Sequence, residues 1–222
     1  MFKRELFLCL VLLISTLLGC SSSKEYYIDP SYEKQKVDTS VLVLPLQRDW
    51  FQGNYTHTFG TLSGSAKTTF YNSMRPLLSR NLNSDIQMVD PNTSFNGEMF
   101  QSSMLKFGSD SLNVFVPDQQ SNFNISGSQP EIILLLDKYF FRKKRKVFGS
   151  SSYAGHEEGT TKTVLQFETK YIYWDTKQQK PIAWGNTDSS VTLGKSPEVK
   201  DSDYELVLSK AVDKMLKRSP IL

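Results

Sequence analysis

The sequence predicts an α+β fold: a mixed, largely antiparallel sheet of about five strands with two amphipathic helices on one face. Three observations carry that prediction. Val41–Leu46 and Ile132–Leu136 are short unbroken apolar runs rich in branched residues, the composition of strands buried on both faces. Between 161 and 173, Thr161, Thr163, Leu165, Phe167, Thr169, Tyr171 and Tyr173 alternate with Lys162, Gln166, Glu168 and Lys170, as in a half-buried strand. Apolar residues over 66–82 and 207–216 recur at helical spacing instead.

Ahead of these elements lies a different kind of segment. Met1-Phe2-Lys3-Arg4 is a short basic start, and Leu6–Leu18 is apolar except for Ser15 and Thr16. That stretch has the length of an export-signal core and is too short to favour a spanning helix. It ends in Leu17-Leu18-Gly19-Cys20, followed by Ser21-Ser22-Ser23. These residues resemble the lipobox of bacterial lipoproteins. The resemblance implies that residues 1–19 are a cleaved signal, cut between Gly19 and Cys20, and that the Cys20 sulfur carries diacylglycerol. Each buried methylene adds roughly 0.8 kcal/mol, so two or three acyl chains hold a domain on a bilayer where one does not. Ser21 follows the cysteine in place of the Asp of the inner-membrane retention signal of such lipoproteins, so the resemblance implies the outer membrane in a host that has one.

Residues 20–39 are polar and without period, and read as a lipidated flexible tether. Residues 40–222 then read as a single α+β domain. Removing Lys3, Arg4 and Glu5 with the signal leaves 24 basic and 22 acidic residues, a balance that gives no global field for nucleic acid. Cys9 leaves with the signal and Cys20 is the lipid site. The folded part therefore has no disulfide, no cysteine-ligated metal and no cysteine nucleophile.

Each element has its own signal. After Val41–Leu46, residues 47–64 mix Gly with polar and aromatic side chains and read as a long loop. Ala66, Phe70, Met74, Leu77, Leu78 and Leu82 then mark a helix, with Ser65 as its candidate cap and Pro76 as a point where it would kink or split. Ile86–Val89 reads as a strand stopped by Asp90-Pro91. Residues 92–129, rich in Asn, Ser, Gly and Gln, suggest a short helix near Glu98–Phe107 and a short strand near Leu112–Val116.

Ile132–Leu136 continues through Tyr139-Phe140-Phe141 into a basic run. A Gly- and Ser-rich turn at 149–160 sends the chain back along the alternating strand. A second turn, Asp175–Pro181, leads into a strand over Ile182–Leu193, and the three make an antiparallel meander. The last helix has Ser202 and Glu205 in capping-box spacing and one stripe of Val207, Leu208, Ala211, Val212, Met215 and Leu216. Lys214, Lys217 and Arg218 suit the negative end of its dipole, and Pro220 stops it.

This order of elements resembles a loose group of envelope lipoprotein domains. The group includes the curli secretion channel lipoprotein, the activator lipoproteins of penicillin-binding proteins and the N-terminal domain of the Tol periplasmic propeller protein. Tyr173-Trp174-Asp175-Thr176-Lys177-Gln178-Gln179-Lys180-Pro181-Ile182-Ala183-Trp184 is similar to their strand–turn–strand phrase, with Gln-Gln where such a turn often has Gly. The likeness spans roughly residues 40–220. It implies the fold and a binding or assembly role in the envelope, and it brings no catalytic residue.

Arg142-Lys143-Lys144-Arg145-Lys146 is the sharpest charge cluster. It suits contact with an anionic surface (lipid phosphates, acidic glycan or an acidic partner) and also suits a solvated strand end that discourages edge pairing. His57 and His156, the latter before Glu157-Glu158, lie in loop-like segments and make no ligand set for a metal. Ser63 does not match a nucleophile elbow, and Asp137 reads as a strand-end charge. Trp50-Phe51, Tyr55 and Phe59 read as a lid on the core or as a partner surface; Trp174 and Trp184 read as a cross-strand pair.

The expectation is thus a non-enzymatic, membrane-anchored module without cofactor or metal. Its partners would be the membrane, through Cys20, and another envelope protein or a second copy, but not nucleic acid. The competing expectation is an envelope hydrolase acting on peptidoglycan or glycan through paired carboxylates.

Overall fold

The computed structural model describes residues 25–32, 40–51, 62–82, 84–123, 129–148, 160–194 and 198–222. Its strands are β1 (Tyr26–Ile28), β2 (Val41–Pro45), β3 (Ile86–Met88), β4 (Phe100–Phe107), β5 (Asp110–Pro117), β6 (Ile132–Phe148), β7 (Thr160–Asp175) and β8 (Lys180–Thr192). Its helices are α1 (Gly64–Ser79) and α2 (Asp201–Lys217). The fold is α+β, with one mixed six-stranded sheet in the order β1-β8-β7-β6-β2-β3. β2 runs parallel to β3 and β6, and the β6–β7–β8 meander and β1 are antiparallel.

Strand alternation sends every second side chain to each face. Val41, Val43, Ile132, Leu134, Leu136, Tyr171 and Tyr173 meet Phe70, Met74 and Leu78 of α1 and the predicted stripe of α2. Their neighbours Leu42, Leu44, Ile133, Leu135, Ile172 and Trp174 face the other way and are just as buried. A two-stranded sheet, β4–β5, covers them with Leu105, Phe107, Leu112 and Val114. The molecule thus has three layers: helices, sheet and hairpin.

That third layer corrects the expectation for 92–129. The helix near Glu98–Phe107 is absent; one 3-10 turn over Gly97–Met99 leads directly into β4. Leu105 pairs with Leu112 across the hairpin, and Gly108 takes the positive φ (+59°) that a two-residue turn needs. The Gly108-Ser109 pair between Phe107 and Asp110 was the local signal for this turn.

Other local readings shift as well. Ser65 is inside α1, Ser63 precedes it without a side-chain cap, and the helix passes Pro76 as one element. Pro76 lies in its last turn, so few hydrogen bonds remain beyond it to be disturbed. α2 begins at Asp201, and the Lys200 amide donates to the Asp203 carboxylate at 3.0 Å, so the capping carboxylate is Asp203 and not Glu205. A register shift after Tyr173 places Trp184 opposite Ile172. Trp184 stacks on Tyr27 at 4.3 Å rather than pairing with Trp174. Gln179 occupies a left-handed turn position (φ +51°), the conformation for which the resembled turns often use Gly. Trp50 and Phe51 are buried in the hairpin-side core, the lid reading; Tyr55 and Phe59 lie outside the described residues.

The tether expectation also changes, because Tyr26–Ile28 form the edge strand β1 on β8. Apolar Tyr26, Tyr27 and Ile28 pack on the two cores, so this stretch gains burial by joining the sheet. Ion pairs pin both of its ends: Arg218 to Glu25 at 3.0 Å and Lys180 to Asp29 at 2.9 Å. Gly185 lets β1 close in, since a Cβ there would stand 2.6 Å from the Glu25 carbonyl oxygen.

Beyond β1, the edge of β8 is closed by α2. Lys210, Lys214 and Arg218 donate to the carbonyls of Ser190, Asp188 and Asn186. The match is metrical: four helical residues advance about 6 Å and two strand residues about 6.6 Å. A cation ladder on carbonyls that would otherwise be free discourages pairing with another chain.

Two outcomes test the β1 attachment. Gly185→Val is expected to strip β1 from the sheet, raising amide exchange at Asp29 and Asn186 by about tenfold or more while the core stays folded; unchanged protection at both amides would refute the close-packing account. The Lys180 ammonium, then Ser31, hold the Asp29 carboxyl down to about 2. Stability from this group is therefore present above about pH 4 and lost as pH falls through about 2. Asp29→Asn should cost about 1 kcal/mol at neutral pH in urea melts, with the gap to the parent closing toward pH 2.

Candidate functional site

The β4–β5 layer covers only part of its side of the sheet, and the uncovered part carries the charged residues. What sets its composition is a bulge in β6. Lys138 adopts a positive φ (50°), and the register slips between Asp137 and Phe140. Before the slip, even-numbered residues of β6 face the helices; after it, Tyr139 and Phe141 do. Arg142, Lys144 and Lys146 are thereby delivered to the open side and Lys143 and Arg145 to the helix side, the split that alternation predicts. Asp137 is fully buried at the bulge, inside a long strand, and not at a strand end as expected.

On the open face the cations meet two carboxylates. Glu168 of β7 and Asp188 of β8 stand directly opposite each other. Like charges in that position repel, and each is met by cationic or amide groups. Arg142 binds Glu168 and lies over the Phe140 ring at 5.4 Å, while Lys144 reaches the same carboxylate at 3.8 Å. Asp188 accepts from the Gln166 amide at 3.1 Å and pairs with Lys214 at 3.7 Å. Lys146 reaches the Ser190 hydroxyl at 3.4 Å.

Where this face meets the hairpin there is a cleft of about 460 Å³, lined by Glu25, Lys138, Glu168, Lys170, Asn186 and Asp188 among others. Lys170 donates to the Asn113 carbonyl at 2.9 Å, tying sheet to hairpin, and its burial pushes the ammonium down from its ordinary range. Trp184 makes the second tie, from its indole N–H to the Lys106 carbonyl at 3.1 Å. The cleft can hold a small polar or zwitterionic group through its mixed charges.

Of the residues singled out in the sequence, the structure thus brings Arg142, Lys144 and Lys146 together on one face and separates Lys143 and Arg145 from them. Gly19, Cys20, His57, His156, Glu157 and Glu158 lie outside the described residues. Ser63 sits at the start of α1. Among the described residues no three His, Cys, Asp or Glu side chains cluster as metal ligands, and no helix is long and apolar enough to cross a membrane. Sequence reasoning missed Asp188, Asn186 and Lys138. Period two within the meander signalled that Glu168 shares a face with Lys170, but pairing it with Asp188 needs the register of both turns.

No protein-family model matches the chain, and no curated protein matches it. Solved structures similar to it include a candidate lipoprotein from Caulobacter crescentus CB15, at 18% identity and a TM-score of 0.26, over 41% of this chain and 65% of that one. The chain thus spans just under two thirds of that protein's length. A minor lipoprotein from Acinetobacter baumannii overlaps at 7% identity and 0.34, covering 82% of this chain and 90% of that one. A Xanthomonas campestris protein of the DUF330 family overlaps at 8% identity and 0.31, covering 85% and 83%.

Glu168→Gln removes the counter-charge of Arg142 and Lys144. Because both cations are substantially solvated, a loss of about 0.5–1 kcal/mol is expected in urea melts at low salt. The loss should shrink at about 0.5 M NaCl, where exposed charges are screened; a salt-independent difference would show that packing, not charge, is what Glu168 supplies.

Proposed function

We propose that this chain is a bacterial lipoprotein anchored through Cys20, with the signal cut between Gly19 and Cys20. Its folded part is a non-enzymatic binding or assembly module of the cell envelope, on the outer membrane rather than the inner. The observation that carries the reading is the run Leu17-Leu18-Gly19-Cys20 behind a basic start and a signal-length apolar core. The fastening of β1 supports it: a chain anchored at residue 20 loads the fold at Glu25, where Arg218 and the β8 edge hold it. Its partner is another envelope protein or a second copy. No cofactor or metal is part of this reading, nor is nucleic acid.

A hydrolase acting on peptidoglycan or glycan is the second reading, favoured by the Glu168–Asp188 pair in the cleft. Both carboxylates are engaged by cations, which suits a structural and binding role better than proton transfer to a substrate.

Cys20→Ala is expected to abolish palmitate labelling and to move the protein from the membrane to the soluble fraction. The fractionation is made at about 0.5 M NaCl, so that charge contacts alone do not retain it. Persistent membrane retention with labelling intact would overturn the anchor.

A further inference from the structure

The far end of the β6–β7 hairpin combines exposed apolar residues with a collar of cations. Val147 is 66% exposed and Phe148 42%, and they are neighbours at the end of β6. Just behind them lie Lys143, Lys144, Arg145 and Lys146, and across the ladder Lys162, whose Nζ is 5.6 Å from the centre of the Phe148 ring. Alternation places Lys144, Lys146 and Phe148 on one face and Lys143, Arg145 and Val147 on the other. Both faces of the strand end therefore show cations followed by an apolar side chain.

The charge is concentrated here. Residues 142–168, including Glu157 and Glu158 of the connecting segment, carry a formal +3, against +2 for the whole chain from Cys20 onward. Within 143–148 and 160–167 there is no acidic residue. Glu168, the acid that closes the collar toward the body, is held by Arg142 and Lys144.

The attachment point faces the same way. β1 is antiparallel to β8, so stepping back from Tyr26 to Glu25 leads along β8 past Asn186 toward Thr192. Thr192 pairs with Val164, near the hairpin end. Cys20 precedes Glu25 by five residue steps, a reach of at most about 17 Å. Along β7, the ten residue steps from Lys170, which is opposite Asn186 and so level with Glu25, to Thr160 span about 33 Å. The hairpin end thus reaches about 16 Å farther from Glu25 than the extended tether does, so it meets the bilayer at the anchor with the strands tilted from the membrane normal.

We infer that the β6–β7 hairpin end is a membrane-docking surface that seats on the anionic phospholipid bilayer carrying the Cys20 lipid, with Val147 and Phe148 at headgroup depth. The distance part of the case rests on the lipid-anchor reading; the charge and exposure of the hairpin end do not. Short apolar side chains enter the headgroup boundary, and the lysine and arginine stems reach back to phosphates. Such a contact is weak alone and becomes persistent when a short tether holds it at high effective concentration. It fixes the orientation of the domain and leaves the β4–β5 layer for other partners.

The mature chain has no thiol besides the lipid site, so Val147→Cys gives one labelling position in the lipidated protein. Labelled with nitrobenzoxadiazole and reconstituted into phosphatidylglycerol–phosphatidylcholine vesicles, it should emit blue-shifted and several-fold brighter light and be quenched by lipids spin-labelled near the headgroup. Ser202→Cys, on the helix layer, should keep water-like emission. In a second arm, the Cys20→Ser chain freed of residues 1–19 should sediment with phosphatidylglycerol vesicles but not with pure phosphatidylcholine. Arg145→Gln with Lys146→Gln should weaken that binding about tenfold, as expected when two cations leave an anionic surface. A palmitate-labelled protein whose position 147 stays in water overturns the docking and leaves the anchor standing. Binding of the Cys20→Ser chain sustains the docking even where Cys20 proves unlipidated.

Discussion

The central strands β2, β6 and β7 are apolar on both faces, and this constraint shapes the rest of the molecule. Leu42, Leu44, Ile133 and Leu135 alternate with Val41, Val43, Leu134 and Leu136, and all are buried. Each such side chain is worth about 1.5–3 kcal/mol when removed from water. A sheet built this way cannot leave either side to solvent. Helices α1 and α2 cover one side through the stripes Phe70–Met74–Leu78 and Val207–Ala211–Met215. The other side needs a cover of its own, supplied by the β4–β5 hairpin and by the rings of Trp50, Phe51 and Phe123.

The cover is shorter than the strands, and the charged open face follows from that mismatch. β6 and β7 run 17 and 16 residues, whereas β4 and β5 run 8 each. Past the bulge at Lys138 the hairpin side of the sheet becomes polar, with Arg142, Lys144, Lys146, Gln166 and Glu168 taking the places that leucine and isoleucine hold below. One strand pair thus serves as core at one end and as charged projection at the other. An unbroken ladder from Phe140 to Phe148 gives that projection stiffness that a loop would lack.

β1 links the fold to whatever lies before residue 25. Three residues of strand are little by themselves, but Gly185 admits them, Tyr27 stacks on Trp184, and ion pairs hold both ends. Arg218 takes part twice: it caps the Asn186 carbonyl in the α2 ladder, and it binds Glu25. Glu25, edge strand and last helix are therefore one mechanical unit. On the proposed reading, this unit passes the pull of a membrane anchor into the sheet rather than into a loose end.

Much of this was legible in the residues themselves, because the signals involved are local. Period 3.6 marked α1 and α2, since a helix buries one stripe whatever it packs on; period two marked β7; unbroken branched runs marked β2 and β6. The lipobox-like run is likewise a local signal. What lay beyond local reading depended on partners distant in sequence. A strand near Leu112–Val116 was legible, but β4 carries its apolar residues without strict alternation, and the pair's place as a cover follows only from strands buried on their second face. Tyr26–Ile28 looked like tether because its stability comes from Gly185, Lys180 and Arg218. The Glu168–Asp188 pair, the burial of Asp137 and the side that each set of the basic run faces all hang on two register slips, at Lys138 and after Tyr173. A one-residue slip reverses which face every following side chain takes, and only the assembled sheet fixes where such slips fall.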